Sequence, residues 1–122
     1  MSRSDIERVR DILECIEAID RAEVAVQRYP SDLDVGRIAF DAVQHRIFTI
    51  AQTVKSLSLD MREDHPAAPW AEMTRLPDLI GHQFDKLDPQ IMTTTIGGPV
   101  RQLRTACRSI LGESVRAGED EP

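Results

Sequence analysis

A chain of 122 residues with 41% hydrophobic and 30% charged content is one domain's worth of globular protein rather than a disordered segment. Its net charge of −6 argues against broad attraction to nucleic acid, which needs concentrated Lys and Arg, while leaving room for a local basic patch. The opening MSRSDIERVR carries charge where a signal peptide needs an apolar run, and no stretch approaches the ~20 apolar residues of a membrane span, so a cytoplasmic protein without membrane contact is expected.

The aromatic residues are one Trp, one Tyr and three Phe, so the core has to come from Ile, Leu, Val and Ala, a mixture that favours helices packing on helices. Ser4 with Glu7 reads as a capping box. From there Ile6, Val9, Ile12, Leu13, Ile16 and Ile19, with Val26 as a further member, recur at three- and four-residue spacing and predict a helix to about Gln27, ended by Tyr29-Pro30. Ser31 to Asp34 supplies a second start. The series Val35, Ile38, Ala39, Ala42, Val43, Ile47, Ile50, Ala51, Val54, Leu57 then holds its period without an interior Pro, which predicts the central helix and an antiparallel hairpin with the first.

Asp64, His65, Pro66 and Pro69 break the pattern and predict a loop. A third helix opens at Pro69 and carries Trp70, Met73, Leu76, Leu79 and Ile80 toward the core, with Pro77 inside it. Asp88-Pro89 opens a fourth helix that Gly97-Gly98-Pro99 interrupts. The fifth runs from Val100 to about Leu111, burying Val100, Leu103, Cys107, Ile110 and Leu111, and Gly112 closes it. The expected architecture is an all-α antiparallel bundle of four to five helices at 1–112, followed by a disordered acidic tail at 113–122.

Chemistry concentrates between Trp70 and Asp88. Asp78 and His82 are four apart, a spacing at which a carboxylate can set the tautomer of an imidazole, and Arg75 lies two turns before His82. The plainer reading of His82, beside Gly81, is a surface or capping histidine. Trp70 reads as core. Arg101, Arg104 and Arg108 form a stripe that reads as a solvated, salt-bridged face, with phosphate binding as the alternative. Cys15 and Cys107 show no CxxC spacing and fall in apolar helical patterns, so they read as buried free thiols, and no metal or cofactor is expected.

The opening SRSDIERVRDILECIEAID, the FDAVQHRIFTIAQTVKSLS of the second helix, the PW after a Pro-containing loop and LIGHQFDKLDPQIM together resemble the HepT-like toxin family, small all-helical HEPN-domain proteins. The resemblance implies a homodimer that cuts RNA without metal, its active sites in a cleft along the dimer axis. It also implies a minimal nucleotidyltransferase antitoxin as partner, which adds AMP to a signature Tyr. The family signature is an Arg, four to six arbitrary residues, a His, one residue and a Tyr. Carried onto this chain, it makes His82 the general acid/base, Asp78 its orienting partner and Arg75 the phosphate stabiliser. In the commonest register the Arg position holds Pro77, and Arg75 fits only the wider one. The Tyr position holds Phe84, which has no hydroxyl to receive AMP. Two readings follow from this: the toxin ribonuclease of a toxin–antitoxin pair, or a catalytically inactive binding module of the same fold that pairs with a nucleotidyltransferase or RNA.

Overall fold

The computed structural model describes residues 3–80 and 89–120, with the backbone alone at 3, 77–80, 114 and 116–120. Among the described residues all regular structure is helical. The helices are α1 (Arg3–Arg28), α2 (Leu33–Ser56), α3 (Leu59–Asp64), α4 (Trp70–Ile80), α5 (Pro89–Thr95) and α6 (Arg101–Asp120), and a π-helical turn, Ile96–Val100, joins the last two. The expected all-α antiparallel bundle is what forms. No helix of the described residues is long and apolar enough to cross a membrane.

The α1–α2 hairpin is the frame. Asp32 stops one helix and starts the next: its amide donates to the Tyr29 carbonyl, while its side chain accepts from the Asp34 and Val35 amides at 3.0 and 3.1 Å. At the other end of the hairpin, Asp5 accepts from the Ser58 amide at 3.0 Å and from its hydroxyl at 2.6 Å. The start of α1 is thereby tied to the residue just past α2, which fixes the two helices as antiparallel. Asp5 is 2% exposed, and the Arg8 guanidinium lies 3.9 Å from it. A carboxylate buried this deeply needs such donors to offset its lost hydration.

Ile12, Ile16 and Ile19 of α1 and Ile47, Ile50 and Val54 of α2 are fully buried. α4 adds Trp70, Met73 and Leu76, α5 adds Met92, and α6 adds Leu103, Cys107 and Ile110 to the same core. Burying each large aliphatic side chain contributes roughly 1.5–3 kcal/mol. Trp70 belongs to this core as expected, and its indole Nε1 donates to the His65 carbonyl at 2.9 Å, which satisfies the one polar atom a buried Trp carries. Both cysteines are free and buried, also as expected.

Several sequence expectations need correction. α1 already runs at Arg3, so Ser4 lies inside the first turn and does not cap it. Ile38 points to solvent, 69% exposed, because the inward stripe is centred on Ala39 and Val43 and one residue along a helix is a rotation of about 100°. Val26, 38% exposed, likewise lies beyond the covered face. The loop before α4 contains a further helix, α3, since Ser58 accepts from the Met61 amide at 3.1 Å while donating to Asp5.

The Gly97-Gly98-Pro99 stretch does not interrupt the backbone spiral either. Pro99 has no N–H, and its ring would strike the Thr95 carbonyl in a normal turn; widening that turn to a π-turn removes the clash and keeps the helix going. Nor does Gly112 close α6, which continues to Asp120, so the segment read as an acidic tail begins as helix. α4 runs through Pro77 to Ile80 in the same way. The contributions expected from Leu79 and Ile80 side chains, and the Asp88 cap, lie outside what is described.

Candidate functional site

α4 and the α5/π-turn segment enclose a cavity of about 630 Å³. One wall carries Glu72, Arg75 and Leu76, and the other carries Gln90, Ile91, Thr94, Thr95 and Pro99. The floor is apolar. Leu76 is 4% exposed and anchored in the core, Ile91 is 37% exposed, and Pro99 is presented by the widened turn. Thr95 turns away, donating its hydroxyl to the Ile91 carbonyl at 2.7 Å.

The polar groups stand at the rim. Glu72 and Arg75 are exposed and three residues apart on one face of α4. Among the described residues neither makes an ion pair. Arg75 donates Nε to the Ala71 carbonyl at 3.3 Å, a contact along its own helix that does not involve the two terminal nitrogens. Thr94 has an unusual freedom. Thr49, Thr53, Thr74, Thr93, Thr95 and Thr105 each return the hydroxyl to a helix carbonyl, and among the described residues Thr94 does not.

Arg75 therefore lines the groove between α4 and α5. Asp78 sits one turn further along α4, where its backbone continues the helix. His82 and Phe84 lie outside the described residues, between the end of α4 and the start of α5. The Arg stripe of α6 divides: Arg104 pairs with Asp20 of α1, whereas Arg101 and Arg108 are exposed, which fits the salt-bridged reading. A second depression, of about 730 Å³, lies at the α1–α2 turn against Tyr29, Asp32 and Arg37. It is an open surface hollow without the buried apolar floor of the α4–α5 groove.

Glu72, Gln90 and Thr94 escaped the sequence reading, which saw the threonine run only as a weak helical stretch. The signal in reach was Glu72, three residues before Arg75. Cys107 contributes no reactive centre: burial pushes its thiol from its ordinary 9.0 up to about 12, so it stays protonated and inert near neutrality.

The family model described as ribonuclease HepT-like matches residues 7–110. The chain belongs to the HepT-like ribonuclease family. A probable ribonuclease HepT from Thermococcus cleftensis is 26% identical over 106 residues, covering 85% of this chain and 93% of that protein. A Methanocaldococcus jannaschii protein named "Gamma-glutamylcyclotransferase and putative RNase MJ0434" is 26% identical over 102 residues, covering 84% of this chain and 45% of that protein. No solved structure matches the chain. The HepT-like match begins in the first turns of α1 and ends within α6, so it takes in both walls of the groove and the segment between them.

Proposed function

We propose that this HepT-like protein is a metal-independent endoribonuclease, the toxin of a toxin–antitoxin pair whose other member is a minimal nucleotidyltransferase, and that it works as a homodimer. Family membership supports the ribonuclease class, and one observation carries the site: Arg75 lines an apolar-floored groove with no ion pair among the described residues. A guanidinium there can hold a ribose-linked phosphate with two parallel hydrogen bonds. His82 takes the proton of the 2′-hydroxyl as the O2′–P bond forms, and the P–O5′ bond breaks as the leaving oxygen acquires a proton. Asp78 keeps the imidazole in the tautomer that can accept. Arg75 stabilises the extra charge on the five-coordinate phosphorus.

His82→Ala tests this reading. Cleavage of RNA falls by about 10²–10⁴-fold while the helical circular-dichroism signal and Tm stay unchanged. Undiminished cleavage removes His82 from the mechanism. A second reading, a binding module that holds RNA or the nucleotidyltransferase without cutting, is favoured by Pro77 in the common Arg register and Phe84 in the Tyr position. It predicts salt-dependent RNA binding by the native chain with no cleavage under any condition. With Phe84 in place of Tyr, no AMP is transferred to that position on either reading.

A further inference from the structure

The groove holds more than a phosphate needs. An anion site calls for donors alone, yet here a carboxylate, Glu72, shares the rim with Arg75, the two stand on the same helical face, and they do not neutralise each other. Beneath them the floor is the apolar surface of Leu76, Ile91 and Pro99, and Thr94 offers a hydroxyl that, among the described residues, no helix carbonyl has claimed. A cation, an acceptor and an apolar lining in one groove are complementary to a nucleotide: phosphate on the guanidinium, base face against Ile91 and Pro99, base edge toward the carboxylate.

We infer that the α4–α5 groove is a nucleobase subsite selective for guanine, with Glu72 as the specificity-determining residue. The inference rests on the ribonuclease reading for its substrate class and goes beyond it in naming the base. An ionised carboxylate only accepts hydrogen bonds, and it accepts two side by side. On its Watson–Crick edge guanine presents N1–H and N2–H₂ as adjacent donors, which match both carboxylate oxygens. Adenine and cytosine each place a ring acceptor next to their amino group, and uracil flanks its single N–H with two carbonyls. All three therefore set a lone pair against the carboxylate. Thr94, able to donate or accept, reaches whichever rim atom the base leaves open.

Calorimetric titration of the full chain with guanosine, adenosine, cytidine and uridine 5′-monophosphates tests this. The guanine nucleotide binds about tenfold to a hundredfold more tightly than the other three, the discrimination expected of one bidentate base contact. Glu72→Gln, which replaces one acceptor by an N–H donor, removes that preference and leaves the affinity for the other three within about twofold. Arg75→Ala weakens all four alike. Both side chains are exposed, so an unchanged Tm in each variant shows that the fold persists. Equal binding of the four nucleotides, no binding of any, or a guanine preference that survives Glu72→Gln would each overturn the assignment. RNA cleavage by the native chain, measured separately, distinguishes the two levels. Cleavage without guanine-selective binding leaves the ribonuclease standing and removes this inference. Guanine-selective binding without cleavage removes the ribonuclease and leaves a nucleotide site.

Discussion

The two halves of this bundle are built by opposite rules. In the middle of the α1–α2 hairpin one solution repeats: Ile12, Ile16, Ile19, Ile47, Ile50 and Val54 at helical spacing are fully buried, and the ends are closed by Asp32 and by the Asp5–Ser58 clasp. Between α4 and α6 the chain tolerates Pro77 inside one helix and Pro99 inside another, opens a π-turn, and sets Glu72 and Arg75 at the edge of a groove with no ion pair among the described residues. The contrast teaches a division of labour. Where the backbone is regular the side chains pack inward; where it is distorted, polar groups stand at the rim of a groove.

That contrast can be broken by experiment. The largest structural effect belongs to the hairpin: Ile47→Ala, which hollows out a fully buried site, lowers unfolding free energy by about 2–5 kcal/mol in urea titrations. Nucleotide affinity of the protein that remains folded stays at the native value, and a parallel loss of affinity would mean that the two halves are not separable. A smaller effect follows from the clasp. Asp5→Ala removes two hydrogen bonds to a buried carboxylate and costs about 1–3 kcal/mol, with the loss read from the urea midpoint.

The smallest is a slope. Cys107 keeps its proton to about pH 12 when folded, whereas the unfolded chain releases it near 9.0. Below pH 9 the thiol contributes nothing to pH dependence. As pH rises from 9 toward 12 the unfolded state binds fewer protons than the folded one, so stability falls by about 1.4 kcal/mol per pH unit. Cys107→Ala flattens that part of the profile relative to the native chain. An unchanged slope would show that the thiol is not the group responsible.

The bundle could be read from the sequence because its strongest signal is the period of α2, and Val43, Ile47, Ile50 and Val54 fall inward as that period demands. Ile38 misled because it lies one residue, a rotation of about 100°, off the stripe centred on Ala39 and Val43. The breakers misled for another reason. Pro99 and Gly112 lower local helix stability by at most a few kcal/mol, and packing of Val100, Leu103, Cys107 and Ile110 between them outweighs it. Of the site, Arg75 was legible as a cation two turns before His82, and it lines the groove. Thr94 was not, because a groove between two helices draws its members from distant segments and no spacing within α4 connects it to Arg75, whereas Glu72, three residues before Arg75, was within reach of helical spacing. The segment that carries His82 is where the sequence reasoning extends past the described structure.

Trp70 has a practical consequence. It is the single tryptophan of the chain, it is sealed in the interior, and its indole is fastened to the strap that leads into α4. Any event that shifts α4, whether a nucleotide settling beside Leu76 or the helix peeling from α2, changes the polarity around that ring. The molecule thus carries its own intrinsic fluorophore, positioned to report on a helix that both packs in the core and borders the groove.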